Sequence, residues 1–361
     1  MKNSFFNKFA IVLLVTFSIF SNNGIKAQEK PGDLVYPHLD AANSRWFFFS
    51  SACRPFGLVN LSPDNELGGA WGSGYRYNTK EIKGFSHVHA WQLSALSVMP
   101  VNGAAKDLKD NYYSAFSHNK EIVAPGYHKV ELDRFGITAE LTSTTRVGFH
   151  KYTFSNKKKK SILVKLSGPN GPCEINSGEI KKISSRKFSG YVMNAPTRRR
   201  PKETPVFFYI ELNEAVEDLV TWNDENITEK SKGYKGTNGG AMLIFKDNLD
   251  KPVLMKVGIS YSNEEEAKNN IKAELSHWDF EQIVTESKEE WNNWLSKIEV
   301  KGATKTDRVR FYTDLWHGLQ GRRIISDASG TYCDFTGEER QIKQIPLDKS
   351  GKPKFNHHNF D

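Results

Sequence analysis

The clearest pattern in the chain is an alternation of apolar and polar residues. Residues 127–132 alternate, Asp133 to Gly136 provide a turn, and residues 137–141 alternate again, which predicts a β-hairpin. Further strand-like runs cover residues 147–154, 162–166, 206–212, 241–245 and 253–261. Glycine, asparagine, aspartate and proline separate them, and no segment with helical periodicity interrupts them. The pattern predicts an antiparallel β-sandwich over residues 28–261.

The pattern becomes helical after Ser262. Asn263 can cap a helix whose first turn carries three glutamates, where the helix dipole favours negative charge. A second helix is predicted over about 279–298, with one buried face that contains these residues: Phe280, Ile283, Val284, Trp291, Trp294, Leu295 and Ile298. A third is predicted from Thr306, with Phe311, Leu315 and Leu319 on one side. We assign residues 262–300 to a helical linker and 301–361 to the start of a truncated helical domain.

The first 27 residues have the features of a secretory signal. Lys2 and Lys8 precede an apolar run of about a dozen residues, which is short for a membrane span; an uncleaved anchor is the alternative. We therefore expect an exported protein, periplasmic or extracellular, with no membrane span in the mature chain.

Charge and cysteine content add little chemistry. The formal net charge is +8, or +5 without the three lysines of the first 27 residues. The lysine run 157–160 is interpreted as a solvated hairpin tip rather than a nucleic-acid site. The three cysteines, Cys53, Cys173 and Cys333, show no metal-binding spacing, and we expect three free, buried thiols.

Candidate chemistry concentrates in Gly84 to Leu93. If this segment is a strand, His87 and His89 point to the same face. They could hold zinc with a further ligand such as His357 or His358, or belong to a packed sheet. With Trp71 and Trp91 they could instead form a sugar-binding wall, because aromatic faces pack on pyranose rings.

Four segments resemble one known family. They are Arg54 to Asp64, Gly74 to Tyr77, Ile82 to His89 and Ser97 to Pro100, and the likeness continues to Phe311–His317. Together they resemble glycoside hydrolase family 92, which contains secreted, calcium-dependent exo-α-mannosidases. The resemblance implies a β-sandwich joined through a helical linker to an (α/α)6 barrel, with the pocket between the two domains.

The resemblance also implies which residues take part. Family members use the sandwich to build part of the leaving-group side of the pocket, which assigns Gly74, Tyr75, His87 and His89 to substrate binding; Trp71 and Trp91 are added on chemical grounds. No catalytic residue and no metal ligand is expected in this chain, because the carboxylates and the Ca²⁺ ligands of the family lie in the barrel, beyond residue 361. Residues 90–94 replace a glycine-rich stretch of the family with a bulkier one.

The sequence thus predicts the N-terminal part of a secreted, inverting, calcium-dependent exo-α-mannosidase. Its expected substrates are the α-mannosides of N-glycans or mannans. Inverting hydrolysis requires two carboxyl groups about 6.5–9.5 Å apart, so we expect the chain to be inactive without the barrel. The alternative is a non-catalytic carbohydrate-binding or domain-interaction sandwich. A zinc enzyme is a third, more distant hypothesis.

Overall fold

A computed structural model describes residues 29–42, 50–68, 74–89, 93–155, 159–170, 173–198, 200–247, 249–337 and 339–360. Over these ranges, every helix is too short or too polar to cross a membrane. The leader at 1–27, Trp71, Trp91 and Lys157 lie outside the described residues.

The elements follow in chain order. The strands of the first half are β1 (Ala52–Cys53), β2 (Asn60–Asp64), β3 (Glu81–Ile82), β4 (Gly84–Ser86), β5 (Ser97–Asn102), β6 (Ser114–Ala115), β7 (Ile122–Ala124), β8 (Tyr127–Leu132), β9 (Ile137–Ser143), β10 (Val147–Phe154), β11 (Lys160–Lys165) and β12 (Gly168–Asn170). Those of the second half are β13 (Cys173–Ser184), β14 (Lys187–Asn194), β15 (Thr204–Leu212), β16 (Val216–Trp222), β17 (Ile227–Thr228), β18 (Gly233–Gly236), β19 (Gly240–Phe245), β20 (Val253–Ser260), β21 (Arg322–Ile324), β22 (Thr331–Asp334), β23 (Gln341–Gln344) and β24 (His358–Phe360). The helices are α1 (Ala105–Leu108), α2 (Glu264–Glu274), α3 (Phe280–Leu295) and α4 (Lys305–Gly318), and two 3₁₀ turns lie at Pro31–Leu34 and His118–Lys120.

Two large antiparallel sheets enclose the main core. The first has the order β1-β2-β4-β5-β11-β19-β16-β17. The second has the order β12-β13-β14-β15-β20-β10-β9-β8-β7, with β18 paired to β13. Buried side chains of both sheets meet between them, as where the rings of Phe85 and Tyr152 lie 6.4 Å apart. The fold class expected from the sequence, a mainly β sandwich followed by helices, is confirmed.

The predicted hairpin is formed by β8 and β9. Leu132 pairs with Ile137, and the inward residues of both strands are buried while their neighbours are half-exposed, as the alternation requires. Gly136 closes the turn with a φ of 60°, a left-handed conformation that glycine adopts without strain.

Helix α2 lies on the outer face of the second sheet. Asn263 caps it, since its side chain accepts a hydrogen bond from the Glu266 amide, as predicted. Ala267 and Ile271 pack against β20, where Gly258 permits close approach: a Cβ at this position would lie 2.0 Å from the Ala267 carbonyl oxygen. The helical segment is therefore built onto the sandwich.

Helices α3 and α4 share a smaller core. Its buried members are Leu34, Cys53, Trp291, Leu295, Tyr312 and Trp316. The N-terminal segment, residues 29–42, docks here: the Gly32 amide donates to Asn292 Oδ1 at 2.9 Å, and the Tyr36 amide donates to Thr313 Oγ1 at 2.9 Å. The segment is thus held by helices more than 250 residues away in sequence.

Several sequence-based interpretations need correction. Trp294 and Ile298 are exposed rather than core, because α3 ends at Leu295 and turns its last face outward. In α4 the buried face contains Tyr312 and Trp316, and the predicted stripe of Phe311, Leu315 and Leu319 packs only at its rim. Lys160 is buried in β11 rather than solvated, and β10 and β11 belong to different sheets and do not pair as a hairpin.

Other outcomes concern strands, thiols and boundaries. The long strands β13, β14 and β16 were not predicted, because their alternation is broken by polar pairs and bulges. Cys53 and Cys333 are free and buried, as expected; the side chain of Cys173 is not described. Burial raises the pKa of the Cys53 thiol to about 12. The domain limits at residues 28, 262 and 301 stay predictions.

Candidate functional site

The turn between β1 and β2 carries a strained residue. Phe56 has a φ of 57°, which costs a residue with a Cβ on the order of 1 kcal/mol. Both of its backbone groups are bonded to the C-terminal segment: its amide donates to the Leu319 carbonyl at 3.0 Å, and its carbonyl accepts from the Ile324 amide at 2.9 Å. Such strain persists where the surrounding structure holds the residue in place. Here the two hydrogen bonds hold Phe56 and join the sandwich to the helical segment.

A cleft of about 570 Å³ opens beside this turn. Its lining residues are Pro55, Phe56, Thr145, Glu290, Trp294, Arg322, Ile324, Asn356 and His358. The Phe56 ring meets Trp294 edge to face at 4.8 Å and His358 at 6.1 Å. Trp294 keeps 39% of its surface exposed. The cleft combines an aromatic wall with hydrogen-bonding groups, which is the usual make-up of a ligand site.

Two buried arginines neutralise the carboxylates next to the cleft. Arg54 donates to Glu290 Oε2 at 2.6 Å, and Arg146 donates to Glu274 Oε1 at 2.5 Å. Arg146 also donates to Asn356 Oδ1 at 2.9 Å and so positions one wall residue. Among the described residues that line the cleft, Glu290 is the sole carboxylate, and its partner is Arg54. The expectation that the catalytic carboxylates lie beyond residue 361 stays a prediction.

The structure places His87 in a buried chain of hydrogen bonds. Its Nδ1 donates to the Leu96 carbonyl at 2.6 Å, and its Nε2 lies 2.8 Å from His150 Nε2. His150 Nδ1 lies 2.8 Å from the Tyr152 hydroxyl. Burial lowers the pKa of His87 to about 4 and that of His150 well below its usual value. Neutral rings satisfy the whole chain, with Tyr152 donating to His150, His150 to His87 and His87 to the backbone.

His89 forms a separate buried pair. Its Nδ1 lies 2.7 Å from the Asn60 carbonyl and its Nε2 lies 2.7 Å from Asp64 Oδ1. Both nitrogens face acceptors, an arrangement that suits an imidazolium paired with a carboxylate. Asp64 lies within β2 and is fully buried. The guanidinium of Arg323 donates to the His89 carbonyl.

The two remaining described candidates lie nearby. Gly74 has a φ of 87° and pairs with Glu66, and a Cβ on it would lie 3.4 Å from the His89 ring. Tyr75 is buried, and its hydroxyl donates to Glu121 Oε2 at 3.0 Å.

The structure thus brings Gly74 to His89 and buries the rings of Tyr75, His87 and His89. His87 follows the end of β4, so these residues are not on one continuous strand face. Tyr75, His87 and His89 are at most 2% exposed and already have partners. Substrate binding by Gly74, Tyr75, His87 and His89 stays a prediction, as it does for Trp71 and Trp91.

Sequence reasoning missed two groups of residues. The first is the wall of the cleft: Trp294 was assigned to the core, and Arg322 and His358 were not connected with the turn at Phe56. The second is a cluster of possible metal ligands, His38, His118 and Glu121, whose donor atoms all lie within 4.8 Å of one another. The spacing of His118 and Glu121, three residues apart beside a turn, was the available signal. His87 and His89 do not belong to this cluster, and neither do His357 and His358.

Comparison with known proteins assigns the two halves of the chain to one family. Residues 34–260 match the glycosyl hydrolase family 92 N-terminal domain, and residues 266–350 match the glycosyl hydrolase family 92 catalytic domain. An uncharacterized secreted glycosidase of Arthroderma benhamiae is 23% identical over 343 residues, which cover 85% of this chain and 42% of the relative.

Solved structures share the fold. A family 92 α-mannosidase from Bacteroides thetaiotaomicron superposes with a TM-score of 0.79 at 23% identity, covering 92% of this chain and 45% of that one. An inverting family 92 mannosidase from the same species superposes with a TM-score of 0.77 at 21% identity, covering 89% and 44%. The chain thus spans less than half the length of these relatives.

Proposed function

The chain belongs to glycoside hydrolase family 92, and on that premise we propose that the complete protein is an exported exo-α-mannosidase that acts on α-mannosides of N-glycans or mannans. The observation that carries the proposal is the match of both family domains in order along the chain. The solved α-mannosidases with the same fold support the substrate class, and one of them is an inverting enzyme. The secreted relative supports export.

The cleft beside Phe56 is our candidate for this chain's contribution to the substrate pocket. The Trp294 face suits the apolar C–H surface of a pyranose ring. Arg322, Asn356 and His358 stand around it and can bond sugar hydroxyls. Arg146 fixes Asn356, so part of this hydrogen-bonding surface is preorganised.

The proposed calcium dependence rests on the family resemblance, with ligands expected beyond residue 361. Calcium takes six to eight oxygen ligands, several of them carboxylates. The acidic groups near the cleft do not fit such a site, because Glu290 is paired with Arg54 and Glu274 with Arg146.

The test is an assay of the full-length gene product on α-linked mannobioses, with and without a calcium chelator. We expect release of mannose that the chelator abolishes and added calcium restores. Proton NMR of the first product should show β-mannose, which indicates inversion. A folded full-length protein that releases no mannose from any linkage would refute the assignment of substrate.

The alternative is a non-catalytic carbohydrate-binding or domain-interaction sandwich, favoured by the absence of a free carboxylate pair from the described cleft. Both readings expect a protein comprising residues 28–361 to be inactive, so turnover by that protein would contradict both. They differ for the full-length protein, which binds mannosides without hydrolysis only under the alternative.

A further inference from the structure

A polar cluster lies at the edge of the sandwich, away from the cleft. Its members are His38 from the N-terminal segment, Tyr75 from the loop before β3, and His118 and Glu121 from the turn that leads into β7. The side chain of Glu121 is fully buried, whereas His38 and His118 are 17% and 31% exposed. The cluster is thus closed beneath and open to small solutes above.

Five distances between its donor atoms can be compared with the edges of a tetrahedral metal site; the sixth, between the nitrogens of His38 and His118, is within 4.8 Å. The Tyr75 hydroxyl oxygen lies 3.3 Å from His38 Nε2, 3.4 Å from His118 Nδ1 and 3.0 Å from Glu121 Oε2. His38 Nε2 lies 3.5 Å from Glu121 Oε2, and His118 Nδ1 lies 2.6 Å from the same oxygen. Four ligands around zinc with bonds of 2.0–2.1 Å are about 3.3–3.4 Å apart. Four of these five distances are within about 0.4 Å of that value, and small rotations of His118 would open the fifth.

The orientation of His118 points to a missing positive charge. Its Nε2 lies 2.9 Å from the Tyr77 carbonyl, to which it must donate, and its ring stacks on the Tyr77 ring at 4.0 Å. The neutral ring then turns the lone pair of Nδ1 toward the carboxylate oxygen of Glu121. Two acceptors 2.6 Å apart repel unless a proton or a metal ion lies between them. A ligating histidine whose other nitrogen donates to a backbone carbonyl is the usual arrangement in metal sites.

The carboxylate of Glu121 also requires a positive charge beside it. Among the described residues its ion pairs are all with histidines, and no lysine or arginine contributes. Its second oxygen accepts from His128 Nε2 at 2.9 Å, and His128 Nδ1 is held by the Ser51 hydroxyl at 2.7 Å. One oxygen of this buried carboxylate is held by a hydrogen bond and the other faces two imidazoles. The carboxylate is therefore preorganised to bind a metal ion.

We propose that this cluster binds a divalent transition metal of the zinc class, with His38 Nε2, His118 Nδ1 and Glu121 Oε2 as ligands and the Tyr75 oxygen as the fourth donor. Two imidazole nitrogens and a carboxylate suit zinc, whereas calcium takes oxygen ligands almost exclusively. The site is structural, because the ligands close the coordination shell and tie the N-terminal segment to the sheet edge. None of its four residues lines the cleft beside Phe56.

The experiment uses the full-length protein, stripped of metal and then held in excess calcium so that sites for hard cations are filled. Zn²⁺ is titrated by calorimetry, and Co²⁺ is titrated by visible absorption, in which four-coordinate cobalt gives intense bands. We expect one equivalent bound and a rise in Tm on adding zinc. His38→Gln and His118→Asn should each weaken binding at least tenfold and abolish the rise in Tm.

His277→Gln is the matched control, because His277 is also partly exposed but lies between α2 and α3, outside the cluster. Its affinity for zinc should equal that of the wild type. Tyr75→Phe tests whether the Tyr75 oxygen binds the metal ion or only donates a hydrogen bond. If it binds the ion, its loss admits water to the coordination shell and changes the cobalt spectrum toward that of a higher coordination number. A wild-type protein that binds no zinc, or cluster variants that bind it as tightly as the control, would overturn the proposal and leave a protonated hydrogen-bond cluster.

Discussion

At the residue scale, the histidines of the Gly84–Leu93 segment are buried and hydrogen-bonded. His87 is neutral and bonded to His150, whereas His89 faces Asp64. These two buried histidines therefore have different hydrogen-bond partners, because a carboxylate lies opposite His89 and a second imidazole lies opposite His87. The HxH spacing predicts a shared face only for a continuous strand, and β4 ends at Ser86.

Gly148 tests how tightly the His87 chain is packed. A Cβ at Gly148 would lie 2.7 Å from His87 Cδ2, so Gly148→Ala must push the buried ring out of position. We expect a loss of about 1–3 kcal/mol in the free energy of unfolding, measured by urea denaturation. Gly318→Ala is the control, because nothing lies within 4 Å of its added Cβ at the end of α4, and it should be neutral or slightly stabilising. Equal stabilities of the two variants would contradict this packing.

Asp327 provides a prediction for pH dependence. Burial raises its pKa from 3.8 to about 6, although Asn270 donates to Oδ1 at 2.8 Å. Because the folded-state pKa is above the unfolded one, the stability associated with its protonated form is complete below pH 3.8 and is lost as the pH rises through 6. Asp327→Asn lacks this loss, so its stability relative to the wild type should increase by about 2 kcal/mol between pH 4 and pH 7. Urea unfolding at both pH values measures the change; a pH-independent difference would contradict the raised pKa.

At the element scale, α3 joins the sandwich to α4 through one face. Trp291 is fully buried and its Nε1 donates to the Cys53 carbonyl at 2.7 Å, whereas Trp294 lies on the cleft wall. The periodicity of residues 279–298 predicted the helix and most of its buried face. The periodicity could not distinguish Trp294 from the core residues of the helix. Trp294 lines a cleft whose other walls come from distant parts of the chain.

The two tryptophans of α3 form a matched pair. Trp291→Ala removes a buried ring and its hydrogen bond, and we expect a loss of about 3–5 kcal/mol in unfolding free energy. Trp294→Ala removes a half-exposed ring and should cost much less, below about 1.5 kcal/mol. Under the proposed function it should nevertheless weaken mannoside binding by the full-length protein. Chemical denaturation and calorimetry measure the two effects, and similar losses of stability would contradict the assigned burial.

The strands were predicted where apolar and polar residues alternate or where apolar residues follow one another. The hairpin β8–β9 and strand β10 have the expected positions, whereas β13 was missed, since bulges near Asn176 and Ile183 break its period, and its partner β14 was missed with it. The cluster of His38, Tyr75, His118 and Glu121 was beyond sequence reasoning for a different reason. Its members come from three separate segments that only the closed sandwich brings together.

At the scale of the whole molecule, the strained turn at Phe56 and the docked N-terminal segment connect the sandwich to the helices. The sequence indicated both parts and their order along the chain. It could not indicate this connection, because the hydrogen bonds from Phe56 reach residues 319 and 324, and those from the N-terminal segment reach α3 and α4.

The exposed end of α3 predicts self-association. Trp294 and Ile298 are 39% and 47% exposed, so a protein comprising residues 28–361 should form oligomers at micromolar concentration through this patch. Light scattering after size-exclusion chromatography measures the mass. Trp294→Ser combined with Ile298→Ser should restore a monomer. Ile183→Ser, which removes an exposed residue on β13, should not. A monodisperse monomer of the unmodified protein would contradict the prediction.

The docking of residues 29–42 on α3 and α4 also has a consequence for the order of folding. The partners of Gly32 and Tyr36 are Asn292 and Thr313, which a ribosome adds 260 and 277 residues later. The sheets can pair before that point, and His38 can already reach its partners at the sheet edge, but the Gly32 and Tyr36 amides have no partner until α3 and α4 have been synthesised. Because contacts so distant in sequence close late, the part of the segment around Gly32 and Tyr36 is among the last to reach its native position.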